Sequence, residues 1–174
     1  MRQTVLIFAA LFAGTTAHAQ FSNRSLGGGL SFVKLAGGTV AGVDYAIPLT
    51  LEGSMYIDAG FDAYLQVPFM LVEVSPSLNQ GKHQAFGTGG HLGVRYLFLE
   101  ESIRPYVGLE VASFVIVTEP DPKILWGPGA SAGIDWFVAD SVAIGAHVFF
   151  DYFIELNHPE HPALGGGLVV NAYF

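Results

Sequence analysis

Ala163-Leu164-Gly165-Gly166-Gly167-Leu168-Val169-Val170-Asn171-Ala172-Tyr173-Phe174 ends the chain. In steps of two back from Phe174, one face carries Ala172, Val170, Leu168, Gly166 and Leu164, and the other carries Tyr173, Asn171, Val169, Gly167 and Gly165. Such alternation is a β-strand with one oily and one mixed face. In water that strand would leave a sticky, unpaired edge. In lipid, a closed barrel removes the edge and turns the oily face outward. The stretch therefore predicts a membrane-spanning β-barrel, and the other segments are read as its partners.

The start of the chain fits export. Met1-Arg2 precedes an apolar run from Val5 to Ala13, and Thr16-Ala17-His18-Ala19 supplies small residues at Ala17 and Ala19. Charge, short greasy core and an Ala-x-Ala site are the parts of a secretory signal peptide, so residues 1–19 are expected to be removed and residues 20–174 to form one barrel domain. The apolar run is too short to span a bilayer as a helix. The chain has 7 Lys+Arg against 15 Asp+Glu, and loss of Arg2 leaves 6 against 15, a formal charge of -9. That balance makes nucleic acid an improbable partner. With no cysteine to form a disulfide, stability must come from burial and a closed hydrogen-bond ladder. Hydrophobic residues make up 51% and the mean hydropathy is +0.46, yet after residue 19 no run approaches the ~18 apolar residues of a membrane helix. Alternating strands produce that combination.

Eight strands are expected, at 25–35, 39–47, 54–65, 87–98, 104–118, 129–138, 142–155 and 163–174. The clearest alternation is at 54–65, with Met55, Ile57, Ala59, Phe61, Ala63 and Leu65 outward and Tyr56, Asp58, Gly60, Asp62 and Tyr64 inward. Val43 and Tyr45 are assigned to the outer face and Asp44 to the inner one. Pro48 ends the second strand, Pro128 delays the sixth, and residues 67–86 form the longest loop, either throughout or after beginning as strand that rises above the membrane. An even count puts both termini on the periplasmic side. Short acidic turns near 100–102 and 139–141 should lie there too, and the longer proline-bearing connections outside. Two connections break the rule: residues 36–38 are short but external, and 48–53 longer but periplasmic.

Arg104-Pro105-Tyr106-Val107-Gly108 enters a strand, and the last strand ends in Tyr173-Phe174. With the signal peptide and eight strands, these features resemble the small eight-stranded outer-membrane β-barrel family that includes the OmpA membrane domain and the OmpW-like proteins. The resemblance implies an all-β, eight-stranded antiparallel transmembrane barrel in the cell outer membrane, with Tyr173 and Phe174 as the signal read by the barrel-assembly machinery. It leaves activity open, because the family includes scaffolds, narrow channels, adhesion proteins and a few enzymes.

The expected interior polar network comprises Asp44, Asp58, Asp62, His91, Arg95, Glu110, Asp135, His147 and Asp151. One reading is an acidic conduit that prefers cations. The other is a packed network in which Arg95 bridges several carboxylates, favoured because eight strands leave an interior just wide enough for side chains. One arginine cannot neutralise six carboxylates, so some must be protonated, hydrated or ion-bound. His158-Pro159-Glu160-His161 and His83 offer metal-ligand types at no standard spacing and read as solvated loop. Ser131, His147 and Asp151 have the residue types of a hydrolase triad without a nucleophile motif around Ser131. The glycine clusters 27–29 and 165–167 read as close contact between first and last strands. No catalytic set, cofactor motif or metal-ligand set is assigned. The expected role is a non-enzymatic envelope scaffold or interaction protein acting through its outer loops, with outer-membrane lipid around it and an unidentified external partner. The alternatives are a narrow, porin-like cation or small-solute channel and, third, a lipid-modifying enzyme.

Overall fold

The computed structural model describes residues 23–35, 43, 45–74, 83–99, 101–117, 122–154 and 161–174. The expected signal peptide, Asp44 and the expected turn at 36–38 lie outside them. The hydrogen-bonded segments are β1 (Arg24–Leu35), β2 (Tyr45–Ala46), β3 (Leu49–Asp58), β4 (Phe61–Val74), β5 (His83–Leu97), β6 (Ile103–Ile116), β7 (Lys123–Ala139), β8 (Val142–Phe153) and β9 (His161–Tyr173). Each pairs antiparallel with its neighbour, and β1 pairs with β9, which closes the sheet. Segments β2 and β3 face β1 in one register, from Lys34↔Tyr45 and Val33↔Ala46 to Leu30↔Leu49 and on to Arg24↔Met55. Pro48 interrupts them because it has no N–H, but its carbonyl still accepts from Ser31 N at 3.0 Å. They form one stave, and the barrel has eight.

The strand expected at 54–65 is a hairpin. Ala59 and Gly60 have φ of 51° and 85°, the doubly left-handed pair that a two-residue turn between twisted strands requires. Asp58 Oδ1 accepts a hydrogen bond from Ala59 N at 2.8 Å. A β-bulge between Tyr56 and Asp58 keeps the alternation in step across the turn: Ser54 pairs with Tyr64 and Tyr56 with Asp62, so period two alone could not reveal the reversal. Met55, Ile57, Phe61 and Leu65 still face out, and Asp62 and Tyr64 in.

Of the loop expected at 67–86, the described residues 67–74 and 83–86 are strand. Pro68 pairs with Thr50 and interrupts only the ladder toward β5, between Gln66↔His91 and Phe69↔Thr88. Thr88 Oγ1 donates to the Pro68 carbonyl at 2.9 Å. Pro128 likewise sits inside β7, opposite Val111, and opens a gap in the β8 ladder between Gly129↔Asp151 and the bridge Trp126↔Ile154. A proline costs one rung on one side of a strand, not the strand itself. Val43, expected outward, is buried. With the second stave at 45–58, the connections 59–60, 98–102 and 140–141 share one end with both termini, and the longer ones the other. The exception at 48–53 vanishes, since β3 begins at Leu49; the one at 36–38 lies outside the described residues.

The outer wall is oily: Leu30, Leu92, Leu109, Val111, Val148, Leu164 and Leu168 are all more than half exposed. Trp126 and Trp136 stand on this face of β7, ten positions apart. At ~3.3 Å per residue and ~40° tilt their separation is ~25 Å along the barrel axis, the height of the apolar band of such barrels.

At the β1–β9 seam every inward pair from residue 27 to residue 33 sets a glycine against a larger side chain: Gly27↔Asn171, Gly29↔Val169, Ser31↔Gly167, Val33↔Gly165. A Cβ on Gly27 would run into the Asn171 side chain and the Val170 carbonyl. The interior is layered. Leu35, Val43, Met70, Val72, Ile116, Leu125 and Phe153 pack into an apolar core toward the long-connection end, and the polar groups fill the middle and the short-turn end.

Candidate functional site

The polar half is organised around Arg95, which β5 points inward and which is 2% exposed. Its Nε and Nη2 donate to Asp62 Oδ2 at 3.0 Å each, and its Nη1 to Glu52 Oε1 at 3.2 Å. Glu52 also accepts from Gln66 Nε2 at 2.7 Å and Asn171 Nδ2 at 3.4 Å. These residues come from β3, β4, β5 and β9, so the network crosses the barrel and reaches the closing strand. The guanidinium carbon lies 4.8 Å from the Tyr106 ring centre and 5.4 Å from that of Tyr64, within cation–π range of both.

A second cluster lies nearer the apolar core. The Tyr64 hydroxyl donates to Glu110 Oε2 and lies 3.1 Å from Ser131 Oγ. His91 Nδ1 is 3.5 Å from Glu110 Oε1 and 3.8 Å from Asp151 Oδ2, with its ring edge toward Phe149. At the short-turn end the Tyr173 hydroxyl donates to Asp135 Oδ2 at 3.3 Å, and the half-buried Arg104 guanidinium lies 4.2 Å from the Phe137 ring centre.

Of the network read from sequence, Asp62, His91, Arg95, Glu110, Asp135, His147 and Asp151 are buried inside. Asp58 is not. It sits exposed at the β3–β4 turn, where its carboxylate caps Ala59 N, because the chain reverses there instead of continuing as a wall. Arg95 bonds two carboxylates, not several, and Arg104 adds a second cation on the inward face of β6. The triad does not assemble: Ser131 Oγ faces Tyr64, and neither ring nitrogen of His147 has a hydrogen-bond partner. His158 and Glu160 lie outside the described residues. Tyr173 is buried at the barrel end and Phe174 is exposed on its outside.

Glu52 was legible but hidden. Leu49-Thr50-Leu51-Glu52 alternates apolar with polar, and only the proline before it disguised a strand. Gln66 was lost to the same rule through Pro68. The described interior thus holds five buried carboxylates, Glu52, Asp62, Glu110, Asp135 and Asp151, against one fully buried cation.

Two small cavities lie among the described residues. A cavity of about 30 Å³ lies between the apolar core and the polar layer, floored by Gln66, His91 and Asp151, and another of about 10 Å³ lies beside Arg95, Glu110 and His147. A water needs ~10–15 Å³ of such space, so these hold a few waters and not a column.

No protein-family model matches the chain, and no curated protein matches it by sequence. Solved structures do. Neisserial surface protein A matches with a TM-score of 0.64 at 11% identity, over 87% of this chain and 97% of that one. The outer membrane protein OprG of Pseudomonas aeruginosa gives 0.62 at 15% identity, over 88% and 96%. Ail, the attachment invasion locus protein of Yersinia pestis, in complex with the heparin analogue sucrose octasulfate, gives 0.53 at 12% identity, over 87% and 97%. At these identities the likeness is one of architecture: the chain has the closed, eight-stranded antiparallel transmembrane fold of the small outer-membrane barrels.

Proposed function

We propose that this chain is an outer-membrane barrel that does not conduct and does not catalyse, and that serves the envelope as a scaffold or interaction protein through its long connections. The observation that carries this reading is the layering of the interior. Leu35, Ile116, Leu125 and Phe153 fill the barrel above a polar layer whose central cation is already bound by Glu52 and Asp62. An ion would have to cross this apolar layer and then displace Arg95, both of which oppose conduction. The attachment in the name of Ail supports a surface role, as does its sulfated-sugar complex. Purified wild-type protein in planar lipid bilayers should give no single-channel steps. Reproducible, cation-selective steps would instead favour the channel that the excess of buried acid allows.

Export, outer-membrane lipid around the oily wall, and recognition by the barrel-assembly machinery complete the proposal. Phe174 is exposed at the end of the closing strand and donates its N–H to Arg24 O at 3.0 Å. Its deletion removes one rung of the seam together with the terminal aromatic residue. Deletion of Phe174 should lower outer-membrane levels in cells while leaving refolding into detergent nearly intact. Equal levels of the deletion and the wild type in isolated outer membranes would remove Phe174 from this role.

A further inference from the structure

His91 on β5, Glu110 on β6 and Asp151 on β8 converge on one point of the interior, each offering a ligand-type atom within 4.8 Å of the others. A second observation makes this more than a cluster. Asp151 is 0% exposed, and neither of its carboxylate oxygens has a hydrogen-bond partner. His91 Nδ1 and Glu110 Oε1, turned toward the same point, lack one as well. A buried carboxylate is held by a partner charge or a metal, or else takes up a proton. Arg95 cannot serve, because its bonds go to Glu52 and Asp62.

We propose that His91, Glu110 and Asp151 bind one divalent first-row transition ion, with Zn²⁺ the best match. Nitrogen and oxygen ligands at ~2.0–2.2 Å in a tetrahedron stand ~3.3–3.5 Å apart. The His91–Glu110 separation of 3.5 Å already fits, and the His91–Asp151 separation of 3.8 Å closes with a small side-chain shift. Tyr64 holds the other oxygen of Glu110, the outer contact that orients a ligand carboxylate. Three protein ligands leave a fourth position, and it faces the cavity floored by His91 and Asp151, which has room for a water. An imidazole in the set disfavours Mg²⁺ and Ca²⁺, and the absence of thiolate disfavours Cu⁺. The ion's two charges would balance those of Glu110 and Asp151, neither of which Arg95 bonds.

The test is direct binding of Co²⁺ and Zn²⁺ to refolded, EDTA-stripped barrel in detergent. One Co²⁺ per barrel, with the intense visible absorption of tetrahedral coordination and displacement by Zn²⁺, is expected. Asp151→Asn and His91→Gln should each weaken binding by about tenfold or more. His83→Ala with His158→Ala, which removes two histidines that are not part of the cluster, should leave it unchanged. If the buried variants do not fold, as judged by the heat-dependent gel shift of closed barrels, wild-type protein with Cu²⁺ decides by electron paramagnetic resonance, where one coordinated nitrogen is expected. No binding, binding lost with His83 and His158, or two or more coordinated nitrogens would overturn the proposal.

Discussion

Arg95→Ala should destabilise the folded barrel by about 3–5 kcal/mol, the range for removing one partner of a buried ion pair. The size follows from what remains. Glu52 is 1% exposed and Asp62 4% exposed, so both would stay charged or take up protons in a space that water reaches poorly. Two tyrosine rings would also lose the cation between them. Arg95→Lys should recover only part of the loss, because an ammonium cannot spread donors across two carboxylates from different strands. Replacing the charges together, as Arg95→Met with Glu52→Gln and Asp62→Asn, should recover most of it, since the cost lies in unpaired charge. Urea unfolding of the four proteins in liposomes measures the series. An Arg95→Ala midpoint equal to wild type would show that the carboxylates do not depend on Arg95.

Val148→Arg should cost about 2–4 kcal/mol, by the depth-dependent penalty for a cation on the lipid face of a barrel. Val148 lies midway along β8, between Ala132 and Gly166, and is 59% exposed. In a water-soluble protein a substitution so exposed would change stability by less than ~0.5 kcal/mol. The same mutation therefore separates the two environments. Reversible unfolding in liposomes reads it, and a wild-type midpoint would mean that this face does not meet lipid.

Side-chain alternation made the two faces of the wall legible before any coordinates. Leu92, Val94 and Tyr96 against His91 and Arg95, or Leu109 and Val111 against Glu110 and Ala112, are assigned by period two alone, because in a barrel one face must meet lipid and the other the interior. What alternation cannot carry is where the chain reverses. The Ala59-Gly60 turn and the bulge beside it together preserve the period, so alternation places Asp58 on a wall that has already ended. Proline misled in the opposite direction at 48, 68 and 128, where each removes one donor from a strand that continues. Glu52, the acceptor that joins Arg95, Gln66 and Asn171, disappeared into a supposed loop for that reason. Partner choice inside was not legible either. Which carboxylates Arg95 meets depends on stagger between strands, and only the register Asp62↔Arg95 and the seam between β1 and β9 settle it.

The two tryptophans, Trp126 and Trp136, are natural probes of the central claim that this wall spans a bilayer. Each single-tryptophan variant, Trp136→Phe or Trp126→Phe, can be refolded into vesicles whose lipids carry bromine at graded depths. Both residues should emit as buried from water and be quenched most by shallow bromines, ~12 Å from the midplane, as expected for opposite ends of a ~25 Å apolar band. Emission that is water-like and indifferent to brominated lipid, or a tryptophan quenched most at the bilayer centre, would contradict the account.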